Sequence, residues 1–177
     1  MAFKAKTEIQ VPDEVLNLAT KMGVKCNSFK IVADDFNACV LPTGTVLIGD
    51  KTFYELTMDE LLAVFAHEFS HNRRKHYVLK ISAFAFLFIT GYLLFHDLPD
   101  FMLWYAMFAF TSIALIPFSY YIELEADKDG KSFVGAAQMI SALEKISKGR
   151  NPNEGSETHP PIAKRVQELK KSDTSVK

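Results

Sequence analysis

The sequence is poor in cysteine, with Cys26 and Cys39 as the only two among its 177 residues. They form no C-x-x-C pair and lie away from the histidines in sequence. These positions favour the interpretation that both cysteines are small apolar residues in a reducing compartment. A disulfide or a pair of metal ligands is less favoured. The first residues, MAFKAKTE, contain no apolar segment of the kind found in secretory signals, so we expect no cleavable signal peptide.

The chain also lacks a strong excess of either charge. Twenty basic and 21 acidic residues give a formal net charge of −1. No global positive field and no charged tail is present, so nucleic acid is not an expected partner. We find no internal repeat, and the length suits one domain with a sizeable core, or a smaller domain with membrane segments.

A helical segment carries the pattern H-E-x-x-H at His67, Glu68 and His71. Residues four apart lie on one face of a helix, so the two imidazoles can bind one Zn²⁺ while Glu68 lies beside it as a general base. Thr57 and Glu60 have the spacing of a capping box, which predicts that the helix begins just before the apolar run. The alternative is an amphipathic core helix whose histidines are merely hydrogen-bonded.

Short segments that favour β-strands precede this helix. Residues 28–33 predict one strand, and residues 38–41 and 45–48 predict a hairpin around a turn at 42–44. In a peptidase, an edge strand beside the metal can pair with an extended peptide. An ordinary structural hairpin fits the sequence equally well. Residues 12–22 predict a short amphipathic helix that ends at Gly23.

Two long apolar segments follow the motif. Residues 77–95 carry a single charge, Lys80, and residues 101–122 carry none. Aromatic residues lie near both ends of the second segment, as at membrane interfaces. We therefore expect a hairpin of two transmembrane helices. Because the uncharged part of the first segment is short for a span, a buried hairpin in a soluble or oligomeric protein is the alternative.

The charges that flank these segments predict their orientation. Residues 96–100, between the segments, are acidic, whereas the motif side carries Arg73, Arg74, Lys75 and Lys80. The positive-inside rule then places the motif in the cytoplasm and the acidic loop across the membrane.

An acidic cluster follows the second apolar segment. A site with two histidines needs a third protein ligand, and a carboxylate on another helix is a common one. Glu123 and Asp127 are four apart and share a face, so one can bind the metal while the other accepts a hydrogen bond from a ligating imidazole. A solvated helix face is the alternative. Residues 135–147 and the segment after 160 predict two further amphipathic helices.

Four segments, in this order, resemble the HtpX-like and CAAX-prenyl-protease-type (Ste-type) membrane zinc metallopeptidases. They are N-A-C at 37–39, L-T-M-D-E-L at 56–61 leading into H-E-F-S-H at 67–71, E-L-E-A-D at 123–127, and T-H-P-P-I-A-K-R at 158–165. The likeness extends from about residue 12 to residue 171. It therefore covers nearly the whole chain.

The resemblance implies a ligand set for one Zn²⁺ per chain. Glu123, the first acid of the E-x-x-A-D block, is then the third ligand beside His67 and His71. Asp127 becomes the partner that orients a ligating imidazole, and Glu68 is the catalytic base.

The resemblance also implies residues around the substrate. Asn37, Ala38 and Cys39 match a strand segment that holds substrate backbone near the metal. His159 and Arg165 match residues close to the site. For His159 this implies either stabilisation of the transition state or packing at the start of a helix, and for Arg165 a contact with substrate.

The expected fold class is α+β, with a gluzincin-like zinc peptidase core of a small β-sheet and catalytic helices and an inserted transmembrane hairpin. Residues 1–76 and 123–177 then form the peptidase domain, and residues 77–122 form the hairpin. Many relatives carry membrane helices before the motif, whereas the first fifty residues here have none. A compact HtpX-like enzyme is therefore the closer match, and neither an enclosed chamber nor a prenylated substrate is implied.

The expected activity is zinc-dependent endopeptidase cleavage of peptides or membrane proteins in contact with membrane lipid, with membrane-protein quality control as one role. Two alternatives stay open. One is a catalytically silent zinc-binding membrane protein, and the other is a soluble zinc peptidase whose apolar hairpin mediates oligomerisation.

Overall fold

The computed structural model describes residues 5–33, 37–148 and 151–171. Its elements, in chain order, are β1 (Ala5–Ile9), α1 (Asp13–Met22), β2 (Ser28–Val32), β3 (Ala38–Val40), β4 (Thr45–Gly49), α2 (Asp50–Glu55), α3 (Met58–Arg73), α4 (His76–Phe95), α5 (Asp100–Val134), α6 (Ala136–Ile146) and α7 (Ile162–Lys171). The expected combination of helices with one small sheet is present. β1 and α2 were not predicted.

The sheet has the strand order β1-β2-β4-β3. β2 and β4 run parallel, whereas β3 and β4 form the expected antiparallel hairpin. Alternate residues of the two central strands are buried, among them Phe29 and Ile31 of β2 and Val46 and Ile48 of β4. This alternation produces one apolar face, which packs against α1 and α3. β3 is left at the edge of the sheet, next to α3.

α3 begins at the predicted capping box. The backbone N–H of Thr57 donates to Glu60 Oε2 at 2.8 Å, and the N–H of Glu60 donates to Thr57 Oγ1 at 3.4 Å. Phe65 and Phe69 are fully buried and face the sheet, where the rings of Phe65 and Phe29 meet at 5.6 Å. The capping box fixes the residue at which α3 begins, and this apolar face fixes which side of the helix faces the sheet.

α5 packs closely against the backbone of α3, because two alanines and a glycine line the contact. Ala66 of α3 and Ala126 of α5 are fully buried. A Cβ at Gly130 of α5 would lie 3.1 Å from the carbonyl carbon of Ala66 and 3.1 Å from the nitrogen of His67. A larger residue at 130 would therefore push the two helices apart.

α4 and most of α5 form an apolar hairpin. Both helices are long and apolar enough to cross a membrane, and only 6% and 11% of their apolar windows are buried inside the protein. A soluble protein buries such core helices. The helix continues through Pro117 into the acidic cluster, so the second apolar segment and that cluster belong to one helix.

α6 and α7 complete the fold on a second side of α3. Ala63 of α3 packs with Met139 and Leu143 of α6 and Leu169 of α7 in a separate apolar cluster. This packing holds α7 against α5 and α6 and directs Arg165 inward.

Glu60 provides a test of this packing through the pH dependence of stability. Its carboxylate accepts hydrogen bonds from the Thr57 backbone, Lys145 and Ser141. The Thr57 N–H, helped by the Lys145 ammonium, lowers the pKa of Glu60 to about 2. Because the folded pKa lies below the unfolded value of about 4.3, the stabilisation is complete above pH 4.3 and is lost as the pH falls through 2.

We expect Glu60→Gln to lower the free energy of unfolding by about 2 kcal/mol at pH 7. The difference from wild type should shrink between about pH 4.3 and pH 2. Chemical unfolding across this pH range measures it, with the exposed Glu144→Gln as the control. If the difference in unfolding free energy between wild type and Glu60→Gln stays constant down to pH 2, the lowered pKa assigned to Glu60 is contradicted.

Gly130→Ala tests the contact between α3 and α5. The added methyl group meets backbone atoms of α3, which cannot rotate away, so we expect a loss of about 1–3 kcal/mol. Gly91→Ala in α4 is the matched control, because its methyl group meets the Phe110 side chain at 3.3 Å, which can adjust. Thermal unfolding of both variants measures the effect. If Gly130→Ala is as stable as Gly91→Ala, the close approach of α5 to α3 is not needed for stability.

Candidate metal centre

Two histidines of α3 and a glutamate of α5 bring their donor atoms together. One ligand atom from each of His67, His71 and Glu123 lies within 4.8 Å of the other two. His67 Nε2 and His71 Nε2 are 3.1 Å apart. The Glu123 carboxylate lies 3.3 Å from the first nitrogen and 3.5 Å from the second. The three donors thus face one point between the helices.

The donor set suits a divalent cation of the zinc type. Two imidazole nitrogens and one carboxylate oxygen are a common protein ligand set of catalytic zinc sites. Glu123 Oε2 is buried and makes no well-oriented hydrogen bond among the described residues, although His67 Nε2 lies 3.3 Å away. A buried carboxylate oxygen without such a bond is costly unless a cation lies beside it.

The local electrostatics keep two of these donors in the forms that bind metal. Burial opposes ionisation of Glu123, but the neighbouring His67 outweighs it and lowers the pKa to about 2. Burial, followed by the neighbouring His67, lowers the pKa of His71 to about 3. An ionised carboxylate and a neutral imidazole are the forms that metal binding requires.

His67 is held by a buried ion pair. Its Nδ1 lies 2.8 Å from Asp127 Oδ1. Arg165 of α7 donates to the same carboxylate through Nε at 2.7 Å and Nη2 at 2.6 Å. Burial disfavours a charge on His67, but Asp127 outweighs this and raises the pKa of His67 to about 9. The site therefore stabilises positive charge at its centre.

His71 is held differently, through its second nitrogen. His71 Nδ1 lies 2.9 Å from Nδ1 of His76, the first residue of α4. His76 is almost fully buried, and its Nε2 lies 3.3 Å from Glu125 Oε2. The sequence analysis did not single out His76 as a site residue. Its place five residues after His71 gives no face-sharing signal in a regular helix.

Three further polar side chains surround the donors. Glu68 is partly buried, and burial raises its pKa to about 7, partly offset by the charge of His67. His159 Nε2 lies 3.5 Å from Glu123 Oε2, and the His159 side chain is 57% exposed. Lys80 Nζ lies 3.9 Å from Glu123 Oε1. The sequence had identified Lys80 only as a membrane-flanking charge.

The edge strand β3 packs against α3, the helix that carries two of the donors. Burial and then the charge of Glu68 raise the pKa of Cys39 in this strand. The carbonyl of Asn37 accepts hydrogen bonds from the Gly49 N–H at 2.8 Å and the Thr52 hydroxyl at 3.1 Å. These bonds fix the start of β3. Ala38 pairs with Ile48 of β4.

Comparison with solved structures shows the fold. The crystal structure of S. mikatae Ste24p matches with a TM-score of 0.67 at 18% identity, over 94% of this chain and 51% of that one. The chain thus spans about half the length of that protein. A comparison with curated proteins gives no match.

A family model agrees with the resemblance noted in the sequence. The model for peptidase family M48 matches residues 5–173, which include the H-E-x-x-H helix, the acidic cluster and α7. The chain therefore belongs to peptidase family M48.

Proposed function

We propose that this chain is a membrane-associated, zinc-dependent endopeptidase of the gluzincin type. In this proposal His67, His71 and Glu123 hold one Zn²⁺, and Glu68 is the catalytic base. The observation that carries it is the convergence of those three donors around one point, with the carboxylate contributed by a second helix. Membership of a peptidase family supports it independently.

A Zn²⁺ ion held at this point supplies Lewis acidity, which polarises a peptide carbonyl and acidifies water. A carboxylate oxygen of Glu68 takes a proton from the attacking water and passes it to the leaving amine. A pKa near 7 suits both steps at neutral pH. Asp127 orients His67 and maintains its position while charge develops nearby.

The contacts favour a positioning role for Arg165 rather than contact with substrate. Arg165 is 7% exposed, and its guanidinium group donates twice to Asp127. The largely exposed His159 is better placed for substrate, and we propose that it stabilises the oxyanion of the transition state.

We propose that an extended substrate pairs with β3. Within the described part of the chain, this strand has a strand neighbour on one side only. A peptide added at the other side would extend the sheet next to α3, and Asn37, Ala38 and Cys39 would hold its backbone. An ordinary structural hairpin would make no such contact.

We further propose that residues 77–122 form a membrane hairpin, and that residues 1–76 and 123–177 form the peptidase domain on the cytoplasmic side. The centre then lies at the membrane surface, since Glu123 directly follows the second apolar segment and Lys80 lies in the first turns of α4. This position suits substrates that are themselves membrane proteins, including those removed in quality control.

Glu68→Gln separates catalysis from metal binding. The variant should keep its zinc and lose about 10²–10⁴-fold in turnover, because the amide cannot accept the proton. His67→Ala and His71→Ala should lose the metal as well as activity. Metal analysis of the purified proteins and casein cleavage, with and without a chelator, measure both quantities.

The exposed Glu157→Gln serves as the control and should match wild type in both assays. Undiminished cleavage by Glu68→Gln would reject the assignment of the base. Full zinc content without any cleavage by wild type would favour a catalytically silent zinc protein.

Alkaline carbonate extraction tests the membrane hairpin. Because little of either apolar helix is buried, the expressed chain should stay in the membrane pellet at pH 11 and require detergent for release. Ile89→Lys and Ile113→Lys, at two exposed apolar positions, should together weaken retention. Release of the wild type without detergent, as an oligomer, would favour the soluble alternative.

A further inference from the structure

The two histidines of the centre have different partners for their second nitrogens. A carboxylate holds His67, whereas a third imidazole, that of His76, holds His71 at 2.9 Å. The rings of His71 and His76 meet at nearly right angles, 76°, with centroids 5.0 Å apart. His76 is 1% exposed, so the acceptor side of this contact is shielded from solvent.

An unusual turn of the backbone creates this contact. In a regular helix, residues five apart are rotated by about 140° and cannot face each other. Here α3 ends at Arg73, and Lys75 adopts the left-handed conformation with φ 53° and ψ 39° before α4 begins at His76. Lys75 is the one residue other than glycine with positive φ in the described part of the chain. Such a conformation is unfavourable for lysine and indicates a constraint that maintains it.

The proton positions follow from the contacts. If His71 binds a metal through Nε2, which faces the other donors, its proton must lie on Nδ1. That N–H can donate only if His76 Nδ1 is unprotonated, and the His76 proton then lies on Nε2. From there it donates to Glu125 Oε2, which is 3.3 Å away. Each donor has an acceptor, and the chain of hydrogen bonds ends on a carboxylate.

Glu125 is itself fixed. Arg74, in the same turn between α3 and α4, donates to Glu125 Oε1 at 3.3 Å and to Asp129 at 2.9 Å. Thus α5 contributes Glu123 to the centre and, through Glu125, holds the residue that orients His71.

We propose that His76 is a positioning residue for the metal centre. It accepts a hydrogen bond from the Nδ1–H of His71 and is anchored by Glu125. This inference deepens the proposed function and rests on it. It assigns to the turn after α3 the task of fixing the tautomer and ring angle of one ligand. Without that acceptor, His71 would leave a buried N–H unpaired or rotate away from the metal.

The test is zinc affinity, measured by competition with a chromophoric chelator on the full chain in detergent. His76→Phe keeps the ring but removes the acceptor, so affinity should fall about 10–100-fold. In His76→Asn, the side-chain oxygen can take the place of Nδ1, so affinity should recover to within about threefold of wild type. Glu125→Ala should lose about tenfold. Glu144→Gln, an exposed acid on α6, is the control and should not change affinity.

The absorption spectrum of the Co²⁺-loaded protein adds a readout that a merely structural role would not alter. His76→Phe should shift the d–d bands, whereas His76→Asn should restore them. Wild-type affinity and spectrum in a folded His76→Phe protein would overturn the proposal. If His76→Phe does not fold, Glu125→Ala provides the test. Unchanged zinc affinity in Glu125→Ala would overturn the proposed chain of hydrogen bonds. Failure of wild type itself to bind zinc would instead reject the proposed function.

Discussion

The close contact between α3 and α5 is the interaction on which the site depends. His67 and His71 come from one helix and Glu123 from another, far along the chain, so the candidate donor set exists only where the two helices touch. Gly130 and the paired alanines, Ala66 and Ala126, allow this approach. Small side chains at this contact let the two helices approach closely enough for the donor atoms to meet.

α5 also links the centre to the apolar hairpin. The same uninterrupted helix carries the exposed apolar residues, then Glu123, Glu125 and Asp127, and then Gly130. A displacement of the hairpin would therefore move one donor and both positioning acids together. Two further contacts hold the α3 imidazoles. Arg165 of α7 acts on His67 through Asp127, and His76 at the start of α4 contacts His71.

The local features of this fold could be read from the sequence, whereas the contacts between distant segments could not. The Thr57 capping box, the end of α1 at Gly23 and the hairpin of β3 and β4 depend on near neighbours, and the structure has all three. The acidic cluster and its spacing suggested that Glu123 and Asp127 meet the histidines, and the family resemblance assigned the metal to Glu123 and the hydrogen bond to Asp127. β1 has a short, weakly apolar sequence and exists through pairing with β2. His76 was missed because its role depends on one left-handed residue, Lys75, which no local preference predicts.

X-ray absorption at the zinc edge of the purified, zinc-loaded protein tests the central claim most directly. Coordination by His67, His71 and Glu123 predicts two imidazole nitrogens at about 2.0–2.1 Å and oxygen at about 2.0–2.2 Å, with the imidazole signal retained and one oxygen contribution altered in Glu123→Gln. A sulfur neighbour at about 2.3 Å would mean that Cys39 or Cys26 binds the metal. That result, or a spectrum without imidazole scattering, would contradict the account.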